Sequence, residues 1–135
     1  MPRPSLSGIY ETVLYGNDVA ALAAFYEDVL GLRTVEEPDE LAAAIRLPDG
    51  TMLLLFDPEL AGRPGRPVPS HGATGPGHVA FRVAAGELDR WRAALVDRGV
   101  PIEREIQWKR GGRSLYVRDP AGNSVELTED ELWPA

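Results

Sequence analysis

Tyr10-Glu11-Thr12-Val13-Leu14-Tyr15 and Gly77-His78-Val79-Ala80-Phe81-Arg82-Val83 are two strand-like stretches. Each runs into a helical segment closed by a glycine, Gly31 after Leu30 and Gly99 after Arg98. Each later carries an aspartate–glycine turn ahead of another strand: Asp49-Gly50 before Met52 to Phe56, and Asp119-Pro120-Ala121-Gly122 before Ser124 to Thr128. One plan is written twice. A unit of this length occurring only twice is too long for a solenoid repeat and marks a paired-module domain.

In the first copy, residues 9–16 alternate with strand period and stop at Gly16-Asn17-Asp18, where Asn17 or Asp18 can cap a helix. From Val19 to Leu30 the residues Leu22, Phe25, Tyr26, Val29 and Leu30 share one helical face, and Gly31 is a natural stop. Strands are predicted near 31–37, 41–47 and 51–57, with turns at Glu37-Pro38-Asp39 and Pro48-Asp49-Gly50. The result is βαβββ. In the second copy His78 to Val83 forms the strand, and a helix from about 86 to 98 buries Leu88, Trp91, Ala94 and Leu95. Strands near 101–107, 113–118 and 123–128 complete it, separated by Gly111-Gly112 and the Asp119 to Gly122 turn. The predicted organisation is one domain over residues 1–135, with module 1 at about 8–57, a linker at about 58–76 and module 2 at about 77–130. The linker is dense in Pro and Gly; it reads as a connector, or as a loop that also covers a ligand site. His71 lies in it and reads as a linker residue rather than a ligand.

Hydrophobic content of 44% and charged content of 26% are those of an ordinary globular domain. A formal charge of -7 argues against binding a nucleic-acid backbone, which needs clustered Lys and Arg. With no cysteine there is no disulfide, thiolate metal site or cysteine nucleophile. Met1 to Gly8 lacks the apolar run of a signal peptide and nothing later approaches a membrane span, so the expected compartment is the cytoplasm.

Aligning the two copies places Glu11, Leu54, His78 and Glu126 at equivalent positions. Side chains two apart on a strand share a face. One set of faces collects Glu11 with Val13, Met52 with Leu54 and Phe56, His78 with Ala80 and Arg82, and Ser124 with Glu126. The opposite faces, Leu53 and Leu55, Val79, Phe81 and Val83, Val125 and Leu127, are apolar and suit packing under helices. Two sheets with helices outside would leave a concave surface, and repeat symmetry is what leads to the expectation that Glu11, His78 and Glu126 converge on it.

These segments resemble the vicinal oxygen chelate superfamily, which contains glyoxalase I, extradiol dioxygenases, fosfomycin-resistance thiol transferases and bleomycin-resistance proteins. The resemblance is carried by Glu11 through Asp18, by Phe25-Tyr26-Glu27-Asp28-Val29-Leu30-Gly31-Leu32 and by Gly77-His78-Val79-Ala80-Phe81. It continues through Tyr116-Val117-Arg118-Asp119-Pro120-Ala121-Gly122-Asn123-Ser124-Val125-Glu126-Leu127. It implies an α+β fold of two paired βαβββ modules forming a cup-shaped mixed sheet with helices on the outer side, often as a homodimer. In metal-binding relatives the first strands supply histidines and the last strand a glutamate; His78 and Glu126 match as they stand. Glu11 stands where the family more often has His, and Leu54 where glyoxalase I has a second glutamate.

The resemblance therefore implies a divalent metal ion held by Glu11, His78 and Glu126, with Glu126 and Glu11 also candidate catalytic bases. Two carboxylates tilt such a site toward Mn²⁺ or Mg²⁺, with Fe²⁺, Ni²⁺, Co²⁺ and Zn²⁺ also compatible. Without metal, Glu11 and Glu126 pair instead with Arg82, Arg46 or Arg118. Met52, Leu54, Phe56 and Tyr116 are the expected pocket walls, and Trp108 and Arg113 beside the Gly111-Gly112 hairpin are further substrate-binding candidates. Two functions fit. One is a metal-dependent lyase, isomerase or dioxygenase acting on a small vicinal-oxygen substrate; the other is a metal-free protein that sequesters a ligand or drug. Both have a small-molecule partner and neither involves nucleic acid or membrane.

Overall fold

The computed structural model describes residues 2–129 and 132–134; the expected end of module 2 at residue 130 lies outside the described residues. The chain divides into two compact units, Met1–His71 and Gly72–Ala135, and the boundary falls inside the Pro/Gly-rich stretch. Each unit is a βαβββ module, so the α+β reading and the internal repeat hold. None of the described helices is long and apolar enough to cross a membrane.

The first unit opens with β1 (Glu11–Tyr15) and α1 (Val19–Asp28). The Asp18 carboxylate accepts the Ala21 N–H at 3.0 Å and so fixes where the helix begins. Beyond α1 the Gly31 and Leu32 amides return to the Glu27 and Tyr26 carbonyls, with Gly31 at φ +70. That closure uses the residues with which the next strand was expected to start, so β2 is only Arg33–Thr34. β3 (Ala42–Arg46) and β4 (Met52–Phe56) follow. The sheet order is β1-β4-β3-β2, with β1 parallel to β4 and the other pairs antiparallel. Alternation sends Leu14, Ala43, Ile45, Leu53 and Leu55 into the core with Leu22 and Tyr26 of α1. Val13, Tyr15, Met52, Leu54 and Phe56 alternate with them and stay half-buried.

The stretch read as a linker is partly built. Asp57 caps a single turn, α2 (Pro58–Ala61), by accepting the Glu59 and Leu60 amides. Further on, the His71 N–H bonds the Ala61 carbonyl at 3.1 Å. Proline at the first helical position and an aspartate ahead of it are a helix-start signal that the density of Pro and Gly masked.

The second unit repeats the plan with β5 (His78–Arg82), α3 (Leu88–Asp97), β6 (Arg104–Gln107), β7 (Arg113–Arg118) and β8 (Ser124–Thr128). Its order is β5-β8-β7-β6, with β5 parallel to β8. Val83, Leu115, Val117, Val125 and Leu127 form the core with Leu88 and Leu95 of α3. β6 begins later than expected because Pro101 has no amide to donate, although the Glu103 N–H already bonds the Tyr116 carbonyl.

Candidate functional site

Glu126 occupies the middle of β8, paired in register with Ala80 of β5 on one side and Tyr116 of β7 on the other. Its neighbours Val125 and Leu127 enter the core, so Glu126 points to the face away from them, where it is still only 5% exposed. A carboxylate this buried requires partners for both oxygens. Oε2 accepts the Ser114 hydroxyl at 2.6 Å. Oε1 lies 3.2 Å from Nε2 of His78.

The other ring nitrogen of His78, Nδ1, lies 3.0 Å from the Ser124 carbonyl oxygen. A carbonyl only accepts, so Nδ1 carries a proton, and in the neutral imidazole Nε2 then presents a lone pair. That lone pair faces a carboxylate oxygen. Two acceptors at this separation need a positive charge between them: a proton, which makes the pair an imidazolium–carboxylate bridge, or a metal ion. Metal–nitrogen and metal–oxygen bonds of about 2.0–2.2 Å place adjacent ligands about 3 Å apart, which the His78–Glu126 spacing matches. His78 and Glu126 therefore fit as two neighbouring ligands.

The ladder holds His78 in position. Gly77 receives the Ser124 N–H on its carbonyl and donates its own N–H to Asn123 Oδ1 at 2.7 Å. Asn123 is 1% exposed, and its Nδ2 donates to Asp119 Oδ2 at 2.9 Å. The Asp-Pro-Ala-Gly-Asn turn thus grips the residue preceding His78.

Beneath Glu126, Ser114 is fully buried. Its oxygen accepts Trp108 Nε1–H at 2.8 Å and lies 3.0 Å from Thr128 Oγ1. One hydroxyl has one proton, and the shorter contact to the charged oxygen takes it; Ser114 then accepts from Trp108, while Thr128 gives its own hydroxyl proton to the Glu129 carbonyl at 3.0 Å. The result is a directed chain from the Trp108 indole through Ser114 to Glu126. Tyr116 stacks beside His78, ring centroids 6.3 Å apart at 20°. Burial first, and then the charge of Glu126 and a hydrogen bond to it, push the Tyr116 phenol above its ordinary range, with Ser114 pulling the other way.

The remaining sequence candidates are distributed as follows. Trp108 and Tyr116 join His78 and Glu126, Trp108 through Ser114. Arg113 does not, because it alternates to the α3 side of β7. There its guanidinium bonds Asp89 at 3.0 Å and Glu129 at 3.2 Å. Arg118 forks onto Glu103 rather than Glu126. Met52, Leu54 and Phe56 share one face of β4 in the first unit. Glu11 opens β1 there, exposed and without a hydrogen bond or ion pair to any described residue. Within neither unit do three or more His, Asp or Glu side chains gather as a metal cluster among the described residues. Thr128 was not anticipated; strand period counted two residues on from Glu126 is the signal that points to it.

Residues 8–127 match the model of the glyoxalase/bleomycin resistance protein/dioxygenase superfamily. The chain is 34% identical over 122 residues to biphenyl-2,3-diol 1,2-dioxygenase 3 of Rhodococcus globerulus, covering 89% of this chain and 62% of that protein. The crystal structure of lactoylglutathione lyase from Agrobacterium tumefaciens superposes with a TM-score of 0.90 at 40% identity, over 98% of this chain and 100% of that one. A glyoxalase/dioxygenase from Nostoc punctiforme matches with a TM-score of 0.68 at 28% identity, covering 97% and 99% of the two chains. With a repeated βαβββ plan and a family match spanning nearly its whole length, the chain belongs to the glyoxalase/bleomycin resistance protein/dioxygenase superfamily.

Proposed function

We propose that this protein is a small metal-dependent enzyme, a lyase, isomerase or dioxygenase, acting on a small substrate with neighbouring oxygens. The observation that carries the reading is His78 Nε2 held 3.2 Å from a buried Glu126 oxygen, a spacing that suits two neighbouring ligands of a divalent cation. The relatives named as a lactoylglutathione lyase and a ring-diol dioxygenase support the class, although the chain spans only 62% of the length of the latter. A bound divalent ion supplies electrophilic stabilisation of negative charge developing on a substrate oxygen.

The chain's own groups supply the rest. The Ser124 carbonyl fixes the His78 tautomer, and Ser114 aims Glu126 by occupying its second oxygen. Tyr116, its phenol kept protonated, is a donor beside the same carboxylate. Glu11 is proposed as a further ligand or base on the sequence register alone.

Metal analysis of protein purified without chelator, set against Glu126→Ala and Glu11→Gln, tests the reading. Near-stoichiometric metal in the native protein, lost in Glu126→Ala, is the expected result; retention by Glu11→Gln removes Glu11 from the ligand set. Absence of metal from the native protein overturns the enzyme reading. It favours the metal-free ligand-binding alternative, in which a protonated His78 closes the same pair.

A further inference from the structure

Tyr15 ends β1 directly opposite Phe56 of β4. His71 reaches this corner from beyond α2. Its Nδ1 lies 2.6 Å from the Tyr15 hydroxyl, and its ring stands edge-on to Phe56 with centroids 4.7 Å apart at 87°. The Arg66 guanidinium carbon lies 5.8 Å from the centre of the same Phe56 ring, with Nη1 donating to the Ala61 carbonyl at 3.0 Å. A phenol is far more acidic than a neutral imidazole, so Tyr15 donates to Nδ1 and the ring proton of His71 resides on Nε2.

Among the described residues that Nε2–H meets no acceptor and the Arg66 guanidinium meets no carboxylate. The acids in the adjacent sequence are committed: Glu59 pairs with Arg63, and Asp57 caps α2. Two sets of N–H donors therefore flank one aromatic ring. Beside them runs an apolar strand face, Met52 and Leu54, half-buried.

We propose that Arg66 and His71, with Tyr15 fixing the His71 tautomer, form a carboxylate-binding subsite for a small aromatic acid whose ring lies along Phe56, Leu54 and Met52. As the substrate class of the proposed enzyme this rests on the reading above; as a binding site it does not. Guanidinium and imidazole N–H groups match the two oxygens of a carboxylate, and a planar ring suits the apolar strand.

The chain has only two histidines, one in each unit, which makes the test direct. Long-range ¹H–¹⁵N spectra of the full-length protein resolve both imidazoles, and His71→Asn assigns them. Benzoate is the probe, and benzamide, of nearly the same shape but neutral, is the control. Benzoate is expected to move the His71 ring resonances saturably while benzamide binds at least about tenfold more weakly, the value of one charge-assisted hydrogen bond. Arg66→Gln is expected to weaken benzoate by a similar factor while keeping the Tyr15–His71 signature of the unliganded protein, which shows that the corner is intact. No movement of His71, equal response to benzamide, or undiminished binding by Arg66→Gln overturns the subsite. Zn²⁺ added to chelator-treated protein reports separately at His78, so failure of the metal reading and failure of the subsite give different spectra.

Discussion

Glu126 shows how one buried carboxylate is made tolerable by neighbours that each approach from one direction. Ser114 takes Oε2, His78 approaches Oε1, and the Trp108 indole polarises Ser114 from below. Ser114→Ala removes the hydroxyl and leaves the buried Glu126 oxygen, and the half-buried Trp108 N–H, without it. The expected loss is about 2 kcal/mol, since an unsatisfied buried group costs its full desolvation. Urea unfolding checks this, and a loss near zero would mean that the chain through Ser114 does not operate in solution. Tyr116 gives a second test at the same scale. The Tyr116 phenol is held above its ordinary range, by burial first and by Glu126 second. Alkaline titration followed by ultraviolet absorbance should show a tyrosine ionising above the ordinary range that Tyr116→Phe lacks. Glu126→Gln should bring it only part of the way back, because burial remains; a complete return would make the carboxylate the main cause.

At the scale of elements, the second unit is tied together by charge on the α3 side and by amides at the Asp119 turn. Asp89 of α3 receives both Arg92 and Arg113, Arg92 forks onto Glu105 of β6, and Arg113 reaches Glu129 past the end of β8. The Arg113 hydrogen bond first, then that of Arg92, lowers the Asp89 carboxyl below 3.8; Arg118 lowers Glu103 below 4.5. Both groups bind fewer protons in the folded chain than in the unfolded one. Their stabilisation is therefore present above those ordinary values and is lost as pH falls through the lower folded values. Arg113→Met should flatten the acid limb of the stability–pH curve, the variant being slightly less stable at neutral pH, where the pair acts in full though it is exposed, and equal to the native protein below roughly pH 2. An unaltered acid limb would show that these bridges do not persist. The amide tie is of another kind: Asn123→Ala strips a buried acceptor from Gly77 N–H and a donor from Asp119. It should cost about 3 kcal/mol in chemical denaturation, each orphaned partner counting separately.

For the molecule as a whole, the repeat made the architecture legible, since Tyr10–Tyr15 and Gly77–Val83 announce matching strands and Gly31 and Gly99 end matching helices. Alternation then identified the buried set, Leu53 and Leu55 against Met52, Leu54 and Phe56. Pairwise chemistry between distant positions was not legible. Nothing local says that Trp108 meets Ser114, that His71 meets Tyr15 across 56 residues, or that Arg113, which alternation places on the α3 side, finds Asp89 there. Those depend on which strand ends adjoin in the folded sheet. The same distinction governs the last prediction. On the proposed metal reading, residues brought together only by folding, His78 and Glu126 above all, hold a cation in the native state and not in the unfolded chain, so metal is expected to stabilise the whole molecule by mass action. At a free concentration about a hundredfold above the dissociation constant, the gain is about 2.7 kcal/mol. For a chain of this size that raises the thermal midpoint by roughly 10 °C. Calorimetry of chelator-treated protein with and without Mn²⁺ reads the shift, which Glu126→Gln should abolish. A midpoint that rises equally in that variant would assign the effect to screening of the -7 net charge, and equimolar ionic strength from NaCl would then reproduce it.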